Sequence, residues 1–268
     1  MPAQKISEIN LASLTPAGGF HRSPIAWEDQ VLYFLLVDRF SDNKEKGYRD
    51  ISGNIVTNGT TPMFTAADNQ NAIQTEADAK KWRDAGTRYV GGTVKGLASK
   101  LGYLKRLGVS AIWISPVFKQ VAFQETYHGY GIQDYLQVNP RFGNNDDLRD
   151  LVKAAHDAGI LVVLDIILNH AGDIFTYDPN RQPKFEDKDG NFDPRWDGNP
   201  YPVKGFNDKT GQPNIPFVKT NPSNPAGFPD RDGAVWPVEF QDPRFYTAKG
   251  RIRISISIRN SAMETFST

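Results

Sequence analysis

Between residues 31 and 168 the chain alternates apolar runs with stretches of helical period. Val31 to Val37 runs seven residues without a polar break, which predicts a strand covered on both faces. Val94, Leu97, Leu101, Leu104 and Leu107 recur at helical spacing. Thr93 is placed to cap the start of that helix, and Gly108 sits where a C′ glycine belongs. Val109 to Ser115 predicts a second strand, stopped by Pro116. Leu148, Leu151, Val152 and Ala155 line one face of a second helix, opened by Asn144 or Asn145 and closed by Gly159. Ile160 to Leu168 predicts a third doubly buried strand that carries one acid, Asp165. Strand, helix, strand, helix, strand implies a parallel sheet of the α/β class.

The intervening stretches lack this regularity. Residues 1–30 read as an irregular arm, and 41–92 as a long polar connection of the kind that carries function or mobility. Residues 116–144 read as a second loop. After 170 the pattern changes: residues 171–250 hold 12 of the 18 prolines and no helix-period stretch, yet they stay rich in aromatics. That combination predicts an irregular or β-rich subdomain, not disorder. Residues 251–259 alternate Arg, Ile and Ser strictly. They read either as a terminal strand or as the product of a frame shift near 250, and the exposed edge of an unpaired strand favours the latter. The resulting division is 1–30 arm, 31–170 α/β part, 171–250 insert and 251–268 atypical tail.

Composition narrows the function classes. Lys plus Arg and Asp plus Glu both number 31, so no basic field exists to hold nucleic acid or an anionic membrane. No apolar run approaches the roughly 20 residues that span a bilayer. Cys is absent, which excludes disulfides and thiol chemistry. The first twenty residues show no apolar leader segment, so a cytoplasmic location is the default expectation. GxGxxG, P-loop, HExxH and GxSxG patterns do not occur, and His156 reads as a surface histidine on its helix.

Three segments can carry chemistry, each at the carboxyl end of a predicted strand, where parallel α/β folds place their ligands. Asp165, Asn169 and His170 follow the third strand. Tyr127-His128-Gly129-Tyr130 follows the second, with aromatic faces beside an imidazole, a set suited to a sugar ring. Asp38 to Asn43 follows the first and offers oxygens to a hard cation such as calcium, although a solvated turn accounts for most of these residues.

Together these segments resemble the alpha-amylase family of glycoside hydrolases, over about residues 30–250. Leu36-Val37-Asp38-Arg39-Phe40-Ser41-Asp42 resembles its first-strand motif. Gly91-Gly92-Thr93 through Leu97, then Leu104 to Pro116, resembles its first helix and second strand. Tyr127-His128-Gly129-Tyr130 is similar to its aromatic substrate motif, and Asp165 to His170 to its first conserved region. The resemblance implies part of a (β/α)8 TIM barrel, strands one to three, with a subdomain inserted after the third. It implies retaining cleavage of α-glucosidic bonds in an α-glucan or oligosaccharide. Tyr130 would then stack on the sugar, His128 and His170 would bond its hydroxyls, and Asp165 would orient the site. Asn169 would bind a structural calcium, with Asp173, Glu186, Asp187, Asp208 and Asp232 as candidate partners. In some family members a second calcium site uses an acid where this chain has Thr93, which leaves Asp42 of that set. The residue after Tyr130 is often aromatic in the family and is Gly131 here.

The family's nucleophile, acid/base and third acid follow strands four, five and seven, for which no counterpart is visible. None is assigned, because Asp193, Asp208 and Asp232 lie among prolines and glycines. The expectation is an amino-terminal fragment inactive by itself, with a sheet left open at its edges. The alternative is a non-catalytic sugar-binding or interaction protein built on the same fold.

Overall fold

The computed structural model describes residues 3–61, 72–178, 180, 198–216 and 231–248, and the backbone of 264–265. The alternating tail at 251–259, together with Glu186, Asp187 and Asp193, lies outside the described residues.

Strands β1 (Leu32–Leu35), β2 (Ala111–Ile114) and β5 (Leu161–Leu164) form a parallel sheet in the order β1-β2-β5. Phe34, Trp113 and Val163 are in register across it. Helices α3 (Val94–Ser99), α4 (Leu101–Arg106) and α5 (Asn145–Asp157) supply the apolar cover. Val94, Leu97, Leu104 and Leu151 are sealed against Ile112 and Ile114. α5 opens as expected, with the Asn144 side chain accepting from Asp146 N and Asp147 N and Asp147 returning the bond to Asn144 N. His156 lies on this helix, half-buried, its ring 4.0 Å from that of His21.

The strands are not buried on both faces. Phe34 and Trp113 meet edge to face at 5.0 Å yet stay 47% and 39% exposed. Among the described residues the helices cover one face only, so the doubly apolar pattern overstates the burial. The strands are also shorter than their apolar runs. Val37 opens a short helix, α1 (Val37–Phe40), and β5 ends at Leu164, with Ile166 and Leu168 exposed. Asp165 is therefore not an acid inside a buried strand: it is half-exposed just past the strand's end.

Three further elements depart from the sequence pattern. The helix expected from 93 to 107 breaks at Lys100 (φ −101°, ψ 5°). At the break the Lys100 ammonium bonds Glu45 Oε2 at 2.9 Å and lies 3.7 Å from the centre of the Tyr48 ring. The long 41–92 connection contains α2 (Glu76–Ala85), opened by a Thr75–Asp78 capping box. Because α2 buries none of its residues, it carries no apolar stripe by which sequence could show it. The 116–144 loop contains an antiparallel pair, β3 (Phe118–Gln120) and β4 (Ile132–Val138). β4 escapes the alternation test because Gln133 and Asp134 are as buried as Ile132.

β6 (His170–Ala171) pairs with β9 (Glu264–Thr265), and β7 (Phe175–Tyr177) pairs with β8 (Val203–Phe206), both antiparallel. A second core forms around Phe175, Tyr177, Phe206 and Val235, joined by Val121 from the loop after β3. Its attachment to β4 is both apolar, through Tyr135, and polar: Arg231 Nε meets the fully buried Asp134 carboxylate at 2.7 Å, and Trp236 N donates to Gln133 O at 2.8 Å. Among its described residues the amino-terminal arm forms only short 3-10 turns, and it docks on this same region where Val238 N donates to Gln4 O.

Candidate functional site

Parallel strands bring the carboxyl ends of β1, β2 and β5 to one edge of the sheet, and the expected residues meet there. Tyr130 Oη donates to Asp165 Oδ2 at 2.9 Å. The His128 ring stacks on Tyr130 with centroids 5.6 Å apart, and Tyr130 N donates to His128 Nδ1 at 3.0 Å. His170 Nε2 lies 3.1 Å from Tyr130 O. The residues assigned to sugar contact thus form one cluster, although thirty-five residues separate Tyr130 from Asp165.

The backbone of the 127–131 loop is held tightly. Gly129 has φ +92°, and a Cβ there would lie 2.0 Å from Pro116 O, so no other residue fits without displacement. The buried Gln120 side chain donates to Phe118 O and Gly129 O at 2.8 Å each and accepts from Gly131 N at 2.7 Å. Gly131 also faces a close backbone neighbour: a Cβ on Gly172 would lie 2.6 Å from Gly131 O. Tyr135 Oη donates to His170 O at 2.8 Å, and burial pushes its phenol pKa well up. Gln120 and Tyr135 are supports that no sequence motif marks, since Gln120 acts across the turn at 129–131 and Tyr135 across thirty-five residues to His170.

The protonation states follow from these partners. His128 Nδ1 accepts a backbone N–H, so the neutral ring keeps its proton on Nε2. A carbonyl only accepts, so His170 donates from Nε2 to Tyr130 O, and its Nδ1 accepts from Asn169 Nδ2 at 2.9 Å. Burial holds both imidazoles below their usual pKa, and for His128 the neighbouring His170 adds to the effect. Burial raises the Tyr130 phenol, and the Asp165 carboxylate raises it further. Both nitrogens of His170 are engaged by the protein, so it braces Tyr130 as it stands and reaches a hydroxyl only by giving up Asn169 or Tyr130 O.

Other expected polar residues serve structural ends. The buried Asp38 carboxylate accepts from Val90 N and Gly91 N and pairs with Arg39. Asp42 accepts from Lys44 N at 2.9 Å. Asp208 organises its own turn through Thr210, Gln212 and Asn214, which hold its carboxyl down at about 2. Asp232 pairs with Lys119 at 2.5 Å, and Gln124 reaches Asp173 Oδ2 at 3.3 Å. Calcium takes six to eight oxygens. Among the described residues no group of three acids or histidines gathers that could hold a metal. Asn169 is exposed with its amide nitrogen on His170, which leaves its oxygen as the end open to a cation.

The known proteins to which this chain is similar include alpha-amylases. The family model for the alpha amylase catalytic domain matches residues 34–214. An alpha-amylase of Streptomyces lividans is 45% identical over 97 residues, 34% of this chain and 11% of that protein. Alpha-amylase 2 of Dictyoglomus thermophilum is 32% identical over 171 residues, 63% of this chain and 23% of that protein. The crystal structure of an Anoxybacillus alpha-amylase superposes with a TM-score of 0.38 at 26% identity, over 61% of this chain and 31% of that one. The chain thus spans under a quarter of the length of either curated relative. Among the described residues no helix is long and apolar enough to cross a membrane. With the catalytic-domain match running from β1 past β8 and enclosing the Tyr130 cluster, the chain belongs to the alpha-amylase family of glycoside hydrolases, whose catalytic domain is a TIM barrel.

Proposed function

We propose that this chain carries the sugar-binding part of an amylase-type site and binds an α-glucan or oligosaccharide without cleaving it alone. The observation that supports this reading is the Tyr130 cluster. The Tyr130 ring, tied to Asp165 and backed by His128, presents an aromatic face to the apolar side of a glucosyl unit. The Nε2–H of His128 is placed to meet a sugar hydroxyl, while His170 orients Tyr130. Asp165 holds the phenol and offers its second oxygen to the sugar.

Retaining cleavage of an α-glucosidic bond needs two carboxyl groups about 5–5.5 Å apart, one a nucleophile and one an acid/base. Asp165 is engaged with Tyr130, and Asp208 and Asp232 are engaged elsewhere. Binding without turnover is therefore the reading these residues support. Calcium enters this proposal as an ion held at Asn169, and no step of sugar contact depends on it.

The test uses purified chain. Calorimetric titration with maltoheptaose should show binding that Tyr130→Ala removes, and reducing-sugar release from starch should stay at background. No binding by the native chain would sink the reading. Turnover that survives repurification from a second host would overturn the non-catalytic part.

A further inference from the structure

Beyond the four residues of the cluster, we propose that Arg39 is a positioning residue for it, acting through Tyr127. The proposal rests on reading the Tyr130 cluster as a sugar site.

Arg39 sits in α1, immediately after β1, with a side chain 26% exposed. Its guanidinium carbon lies 3.7 Å from the centre of the Tyr127 ring. Tyr127 meets His128 edge to face at 5.5 Å, and His128 stacks on Tyr130 at 5.6 Å. A continuous file of planar groups therefore runs from Arg39 to the residue that touches Asp165. None of the outer contacts is a sugar contact, so Arg39 acts on the site only by fixing ring orientation.

The guanidinium is itself held from three sides. Nη1 donates to Ala85 O at 2.7 Å, just where α2 ends, and Nη2 donates to Arg88 O at 2.9 Å. Nε faces the buried Asp38 carboxylate at 3.0 Å. Asp38 in turn binds Val90 N and Gly91 N, so the 85–91 segment and the guanidinium plane are locked together. Two carbonyls take the fork and one aromatic face takes the flat surface of arginine, while Asp38 pairs with Nε by charge at 3.0 Å without a hydrogen bond. A lysine offers the charge without the plane. This arrangement also ties the segment after α2 to the aromatic motif, two parts of the chain more than thirty residues apart.

The experiment compares Arg39→Lys with Arg106→Lys. Arg106 makes a similar two-carbonyl clamp on Arg49 O and Asp50 O, outside the file of rings. The readouts are the NMR resonances of the His128 ring and the affinity for maltoheptaose. Arg39→Lys should shift the His128 ring signals and weaken the sugar by roughly three- to tenfold, the scale of a cation–π contact. Arg106→Lys should change neither. Should Arg39→Lys fail to fold, Tyr127→Leu removes the same contact while leaving the bonds of Arg39 to Asp38, Ala85 and Arg88, and it should displace His128 alike. Native His128 signals in a folded Arg39→Lys or Tyr127→Leu chain would overturn the proposal. A displaced His128 in a chain whose native form binds no sugar would uphold the positioning and refute the sugar reading.

Discussion

Tyr130 Oη and Asp165 Oδ2 are 2.9 Å apart, a bond that closes the gap between the loop joining β3 to β4 and the end of β5. Beyond the effect of burial, Asp165 raises the Tyr130 phenol both by accepting its hydrogen bond and by its charge. Asp165→Asn should therefore bring the Tyr130 pKa down, while burial keeps it above that of a free tyrosine. NMR titration of ring-labelled tyrosine measures this. An unmoved Tyr130 would mean that the bond does not form in solution.

His128 and His170 are both held below the usual imidazole pKa by burial. The unfolded chain then binds protons that the folded chain refuses. The resulting stability is fully present above about pH 6.5, the unfolded value, and is lost as pH falls toward the depressed folded values. Denaturant titrations from pH 8 to 5 should show this decline, and His170→Gln should flatten it. A flat native profile would refute the depressed values.

Gly129→Ala places a methyl 2.0 Å from Pro116 O at φ +92°. Stability should fall by more than about 1 kcal/mol. Because the shift occurs between His128 and Tyr130, maltoheptaose affinity should fall with it. Equal affinity in a folded Gly129→Ala chain would show that this loop does not set the site.

Asp134 is fully buried and meets Arg231 at 2.7 Å. Asp134→Ala leaves a mostly buried guanidinium without that carboxylate and should cost about 3–5 kcal/mol. Removing Asp146, whose partner Arg149 lies on the exposed face of α5, should leave the melt unchanged. A melt of Asp134→Ala that matches the native one would show that the region after β5 is not anchored by this pair.

Phe34 and Trp113 lie exposed on the uncovered face of the sheet. The chain should bind an apolar dye there, with Trp113 open to a soluble quencher. Phe34→Ser with Trp113→Ser should lower the dye signal. Undiminished dye binding would place the apolar surface elsewhere.

Local chemistry wrote much of this into the sequence. Three apolar runs became three parallel strands, Thr93 and Asn144 capped α3 and α5, and Gly108 and Gly159 took the positive φ expected of them. The order of motifs brought Tyr130, His128, Asp165 and His170 to one sheet edge, because parallel strands leave their carboxyl ends on the same side. What tertiary structure decided involves partners distant in sequence or absent from the local pattern. α2 has no buried residue and so no apolar period to read. The apolar runs could not show that only one face of the sheet is covered, since burial depends on what lies opposite. The two occupied nitrogens of His170 depend on Asn169 beside it and on Tyr130 forty residues away. The plane of Arg39 over Tyr127 joins helix α1 to the loop between β3 and β4. Periodicity and capping act within a few residues and are legible in one dimension, whereas side-chain pairing across loops exists only once the chain has closed upon itself.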